Sequence, residues 1–202
     1  MGVKNLLKFV SPICKPTNIH DFRGRKIGID MSCFLYKALY HTNFLKHINI
    51  YLGPILKIFS RVYLVFDGRP PISKHSELQN RAKNMVTREI TSRITPELTR
   101  KVILAYKTNP KISVVFSPEE SDSQLAYLSI TKIVDVILTE DSDLIVYGCP
   151  LILFKYKPRG SCVIFKKEFL ENFIPWDFKT FKWICILSGC DYLRGGLKGL
   201  SL

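Results

Sequence analysis

Apolar positions along this chain come in blocks of two lengths. The short blocks are compact and rich in Val and Ile: "RKIGID" at 25–30, "RVYLVFDG" at 61–68, "ISVVF" at 112–116 and "IVDVIL" at 133–138. Runs of this length, closed by polar or turn residues, read as buried strands. Residues 151–154 and 162–165 read as a later strand pair. The longer blocks, 31–41, 52–60, 166–172 and 176–188, read as helices. Thr95-Pro96-Glu97 is a helix start, with a cap, Pro at the first position and an acid in the first turn. Ser117-Pro118 reads as another. Between 69 and 101 the chain is polar and basic with little apolar periodicity, so an exposed, partly helical stretch is expected there.

Strands alternating with helices predict an α/β fold with a mostly parallel central sheet flanked by helices. In such sheets ligands gather at the carboxyl ends of the strands. Three of the predicted strands end in acids. Asp30 closes the first and Asp67 the second, and the strand at 133–138 runs into Glu140, Asp141 and Asp143 before the chain turns apolar again at Leu144-Ile145-Val146. Acids placed between two segments that want burial need a reason.

The candidate constellation is Asp30, Asp67, Glu120, Asp122, Asp141, Asp143 and Asp191. Each has an ordinary explanation when taken alone. Asp67-Gly68 is a common turn pair, Ser117-x-x-Glu120 fits a capping box, and Asp141 fits a cap on a short helix that Gly148 ends. Seven carboxylates at one sheet edge, however, repel one another unless some are protonated or cations are bound. An all-oxygen donor set suits Mg²⁺ or Mn²⁺. Glu120 and Asp122 are two residues apart, and on a helix such residues face different ways.

Composition narrows the class of partner. The chain has 202 residues, 47% hydrophobic and 23% charged, with a net charge of +13 from 30 Lys+Arg against 17 Asp+Glu. That size fits one sizeable domain with a real core. The basic excess suits a polyanion partner, above all nucleic acid. The cysteines at 14, 33, 149, 162, 185 and 190 form no C-x-x-C pair, which gives zinc little support and suits buried thiols in a reducing compartment. No apolar run reaches membrane-spanning length, and "MGVKNLLKFVSP" lacks the features of a secretory signal. Position 6 is Leu rather than Ser or Thr, which argues against myristoylation. Asp141-Ser142-Asp143 does not continue as an EF-hand, because position 12 of that loop is Ile152. No G-x-S-x-G, Walker A or Rossmann glycine pattern is present.

The stretches "MGVKNLLKF", "GRKIGIDMSCFLYKAL", "VFDGRPPISK", "SPEESDSQLAYL", "ILTEDSDLIVYGC" and "ILSGCDYL", in this order, resemble the flap endonuclease/XPG family of 5′ structure-specific nucleases, above all its exonuclease-one branch. The resemblance runs from residue 1 to about 193. It implies the PIN-like 5′-nuclease fold with a basic helical arch, two Mg²⁺ ions for which Mn²⁺ substitutes, and hydrolysis of phosphodiesters in DNA with 5′ ends, flaps, nicks or gaps. All seven acids match the family's metal ligands, with Asp30, Asp67 and Asp143 counted also among its catalytic residues. Lys74 and Arg81 match the basic pair that clamps the scissile phosphate. Tyr36 matches the position that stacks on the nucleotide beside the cut, and Gly2 matches an N-terminal glycine near the substrate. A nuclear location is implied as well. No membrane and no small-molecule substrate are expected.

The chain departs from the family in two places. The stretch from Arg81 to Thr95 leaves little room for the arch of longer members. Residues 194–202 resemble only the opening of the helix-two-turn-helix that grips duplex DNA. The expectation is a single catalytic domain over 1–202, in a reduced member or a fragment. Two other readings stand beside nuclease activity: a non-catalytic nucleic-acid-binding relic of the same fold, and an RNA-directed nuclease of the related PIN type.

Overall fold

A computed structural model describes residues 2–69, 71, 94–191, 193, 196–199 and 202. The expected arch, with Lys74 and Arg81, lies outside the described residues. So do residues 194, 195, 200 and 201.

Seven strands form one sheet among the described residues: β1 (Lys15–Asn18), β2 (Lys26–Asp30), β3 (Arg61–Phe66), β4 (Ile112–Phe116), β5 (Val136–Leu138), β6 (Leu151–Phe154) and β7 (Ser161–Lys166). Their spatial order is β1-β7-β6-β5-β2-β3-β4. The run from β6 to β4 is parallel throughout, and β7 and β1 extend it antiparallel. The mostly parallel α/β sheet expected from the sequence is the one observed.

Alternation along each strand explains the unbroken apolar runs. Ile27 and Ile29 of β2, Val62 and Leu64 of β3, and Val136 and Leu138 of β5 enter one core. Their neighbours Val65 and Ile137 enter a second core on the other face. Both faces are covered, so the central strands carry apolar side chains at successive positions. Helices α2 (Met31–Leu39) and α3 (Phe44–Ile58), which follow the short α1 (Leu6–Phe9), cover the first face through Phe34, Leu52 and Ile55, and α4 (Pro96–Tyr106) joins them through Val102. Helix α5 (Ser121–Ile130) covers the second through Leu125. A Cβ on Gly28 would stand 3.0 Å from Leu125, so glycine lets this helix lie close to the sheet.

Two elements differ from expectation. Helix α3 begins at Phe44, where Asn43 accepts a hydrogen bond from the Lys46 N–H at 3.0 Å, and not at 52. Strand β1 had no apolar signature, because Lys15-Pro16-Thr17-Asn18 is a polar edge paired only with β7. Among the described residues no helix is long and apolar enough to cross a membrane.

Candidate metal centre

The carboxyl ends of β2, β3 and β5 are neighbours in the sheet, and the acids meet there. Asp30 ends β2 and caps α2, its Oδ1 accepting the Ser32 N–H at 3.0 Å. The same oxygen accepts the Ser121 hydroxyl at 3.3 Å. Oδ2 accepts the Thr139 hydroxyl and the Cys33 thiol, each at 3.1 Å. Asp30 is only 5% exposed, and burial raises its carboxyl to about 6 against those hydrogen bonds. Asp67, just past β3, accepts the Ser121 N–H at 2.8 Å and the Ser32 hydroxyl.

Gly68 does more than turn the chain. A Cβ there would overlap the backbone carbonyls of Ser117 and Pro118, and its N–H donates to the Glu119 carbonyl at 2.6 Å. The close crossing of these two segments brings Glu120 towards Asp67.

The helix expected from Ser117-Pro118 starts later. Its N-cap is Glu120 and its first residue is Ser121. The Ser117 hydroxyl donates to the Glu120 carbonyl at 2.7 Å, so the expected capping box does not form. Glu120 therefore precedes the helix and Asp122 lies in its first turn. The two-residue spacing that would part them within a helix does not apply, and both line one cavity with Asp143.

Asp122, Asp141 and Asp143 form the tightest group, with one oxygen from each within 4.8 Å of the others. Burial pushes Asp122 up to about 9, followed by the charges of Asp141, Asp30, Asp143 and Asp67. Asp141 is raised as well, chiefly by burial, and Asp191 adds to the rise. Asp141 Oδ1 accepts the Asp143 N–H at 3.0 Å, at the start of the short helix α6 (Asp143–Tyr147). Gly148 ends that helix in the left-handed conformation, at φ 88°.

The chain's start is part of the site. The Val3 N–H donates to Asp143 Oδ1 at 2.9 Å. Gly2 has φ 114°, and a Cβ on it would collide with the side chains of Asp141, Ser142 and Asp143. Tyr36 is 48% exposed on α2 and lines a separate cavity of about 720 Å³ with Ser32, Asp67 and Gly68.

Several supporting residues carried no sequence signal strong enough to single them out. Ser32, Cys33, Ser121 and Thr139 hold Asp30 and Asp67 in place. Glu140, between Thr139 and Asp141, pairs with Lys37 at 2.9 Å instead of joining the other acids. Both side chains are about one-third exposed, and such pairs are worth about 0.2–1 kcal/mol to stability.

The donors fit hard divalent cations. They are all carboxylate oxygens, and the burial and mutual repulsion that raise the Asp122 carboxyl are what a bound cation would offset.

The XPG N-terminal domain matches residues 1–88 and the XPG I-region matches residues 111–191. Exonuclease 1 of Danio rerio is 28% identical over 239 residues, an aligned span longer than this chain, covering 100% of it and 29% of the relative. Exodeoxyribonuclease 1 of Schizosaccharomyces pombe is 28% identical over 237 residues, covering 100% of this chain and 41% of the relative. The chain thus spans well under half the length of these relatives. Among solved structures, the catalytic core of Rad2 in complex with DNA substrate superposes with a TM-score of 0.79 at 22% identity, covering 99% of this chain and 65% of that one. Human GEN1 in complex with Holliday junction DNA gives 0.79 at 18% identity, covering 98% and 52%. At these identities the two structures speak for the fold. With both XPG regions matched in order and the acids gathered at the strand ends, the chain belongs to the XPG/flap nuclease family, alongside its exonuclease-1 members.

Proposed function

We propose that the chain is a divalent-metal-dependent 5′ structure-specific DNA nuclease. It hydrolyses phosphodiesters at 5′ ends, flaps, nicks or gaps, and works in DNA repair, replication or recombination in the nucleus. The observation that carries this is the Asp122–Asp141–Asp143 group, three carboxylates within 4.8 Å at the strand ends of a nuclease-family fold. The names of similar proteins, exonuclease 1 and a Rad2 core bound to DNA, point to the same substrate class.

Asp30, Asp67, Glu120, Asp122, Asp141, Asp143 and Asp191 are the residues to hold two Mg²⁺ ions, or Mn²⁺ in their place. Bound divalent cations supply Lewis-acid polarisation of the phosphodiester and a water nucleophile near neutral pH. The chain's own groups do the rest. The Ser32, Cys33, Ser121 and Thr139 donors keep Asp30 and Asp67 at fixed angles, so no rotamer search precedes reaction. The Val3 N–H holds Asp143. Tyr36 offers a half-exposed ring on which an unpaired base stacks, a contact worth about 1–3 kcal/mol. Lys74 and Arg81 stabilise the charge that grows on the phosphoryl oxygens. The +13 net charge draws the DNA towards an acidic site that it would otherwise avoid.

The test is incubation of the 202-residue chain with a 5′-flap duplex labelled at either end, in Mg²⁺, in Mn²⁺ and in EDTA. Products in metal alone, lost in Asp143→Ala, are expected, and their sizes separate exonucleolytic from flap cutting. Binding without cleavage in either metal would replace this reading with the non-catalytic relic.

A further inference from the structure

Glu140 is the acid of the 139–143 loop that does not join the others. It lies next to Asp141 in the chain, yet both of its oxygens are engaged elsewhere. Oε1 meets Lys37 Nζ at 2.9 Å, and Oε2 accepts the Lys155 N–H at 3.2 Å. Lys37 directly follows Tyr36 on α2, and its ammonium sits 5.6 Å from the Tyr51 ring.

The loop and α2 are joined at three levels. At the bottom the Thr139 hydroxyl and Asp30 Oδ2 are 3.1 Å apart. Above them the Glu140 N–H donates to Cys33 Sγ at 3.3 Å. The outermost link is Lys37 to Glu140, in the turn of helix that carries Tyr36. An ion pair one-third exposed adds little to stability, so its consequence is geometric: it ties the loop bearing Asp141 and Asp143 to the turn bearing Tyr36.

We propose that the Lys37–Glu140 pair couples the two halves of the site, so that cation binding at Asp141 and Asp143 and base stacking at Tyr36 strengthen each other. This rests on the nuclease reading above. Lys37 and Glu140 are positioning residues. Cations that draw Asp141 and Asp143 together fix the 139–143 loop, and the pair passes that order to Tyr36. Linkage requires the effect to run both ways, since each ligand must tighten the other by the same factor.

Simple charge effects predict something different. Removing Lys37 takes away a positive charge and would weaken DNA binding, whereas removing Glu140 takes away a negative one and would strengthen it. Coupling predicts that both changes lower the same quantity, the ratio of DNA affinity with cation to DNA affinity without it.

The experiment measures that ratio by fluorescence anisotropy, using a 5′-flap duplex with phosphorothioate linkages across the junction, in Mg²⁺ and in EDTA. Couplings of this kind run about 5–150-fold. For the wild-type chain a tightening of about 10-fold is expected, reduced by about 2- to 5-fold in both Glu140→Gln and Lys37→Met and kept in Lys37→Arg. Thermal unfolding in EDTA checks that the variants fold. If Lys37→Met does not, the isosteric Glu140→Gln decides. Retention of the tightening in folded Glu140→Gln overturns the coupling and leaves the nuclease reading standing. A wild-type chain that binds equally with and without Mg²⁺, and cuts no ordinary flap, overturns both.

Discussion

The Val3 N–H and Asp143 Oδ1 are 2.9 Å apart although 140 residues separate them in the chain. The segment that begins the polypeptide is thus built into the candidate metal centre. Gly2 stands beside this bond at φ 114°, a backbone state that side chains other than glycine rarely adopt. Gly2→Ala adds a methyl group where the Asp141, Ser142 and Asp143 side chains already are. We expect Mn²⁺ affinity to fall by about 10-fold or more, equivalent to about 1.4 kcal/mol, within the range for backbone strain at a site. Isothermal titration with Mn²⁺ measures it, and unchanged affinity would show that the chain's start shifts away at no cost.

The raised carboxyls fix the direction of the pH dependence. Asp122 titrates near 9 in the folded chain against an ordinary 3.8, and Asp30 near 6. Between the ordinary and the raised values the folded state holds more protons than the unfolded state. Without metal, stability is therefore lost as pH rises through that window. On the proposed reading, bound Mg²⁺ would take the place of those protons. In EDTA the Tm should fall between pH 5.5 and pH 8, and in Mg²⁺ the fall should flatten. A metal-free Tm that rises over this range would contradict the placement of Asp122.

Asp122→Asn removes one charge from the repelling group and keeps the shape. The expected result is a metal-free protein with a higher Tm at pH 8 than the wild type and a weaker pH dependence. Mg²⁺ should stabilise it less, and flap cleavage should be lost. Differential scanning calorimetry with and without Mg²⁺, beside a cleavage assay, reads all of these. Equal Mg²⁺ stabilisation in the two proteins would remove Asp122 from the ligand set.

Thr139 is fully buried and bonded on both sides, its hydroxyl to Asp30 Oδ2 at 3.1 Å and to the Asp141 N–H at 3.0 Å. Thr139→Val keeps the volume and leaves the Asp141 N–H without that acceptor. A cost of about 1–3 kcal/mol is expected. Urea unfolding in EDTA measures it, and a change below a few tenths would mean that water replaces the hydroxyl.

Tyr36 gives a contrast between two substitutions. Tyr36→Ala should weaken binding of a DNA with unpaired 5′ nucleotides by about 1–3 kcal/mol, while Tyr36→Phe should keep most of it. A blunt duplex serves as the comparison. Equal losses on both DNAs would make Tyr36 a general support of α2.

The sheet was legible because its central strands are buried on both faces, which leaves unbroken apolar runs such as Tyr63-Leu64-Val65-Phe66. The polar edge β1 lacks that signal. The first half of α3 was hidden because Lys46, His47 and Asn49 interrupt its apolar positions. The acids were legible because carboxylates at successive strand ends have no common structural use. Their supports were not: hydroxyls such as those of Ser32 and Thr139 have no spacing rule, and only the folded chain shows that the first meets Asp67 and the second Asp30. The start of α5 was misplaced for a similar reason, since the Ser117 hydroxyl serves the Glu120 carbonyl rather than a helix N–H.

Gly68, where the chain leaves β3, and Ile94 with Thr95, where the helix Pro96–Tyr106 begins, line the same cavity. Departure and return share one doorway. With both ends held on one cavity, doubling the length of a loop between them would add only about 0.6 kcal/mol to its closure. The span that carries Lys74 and Arg81 is thus anchored at both ends on the cavity that Asp67 and Tyr36 also line, so its points of attachment are fixed by the sheet and not by its own length.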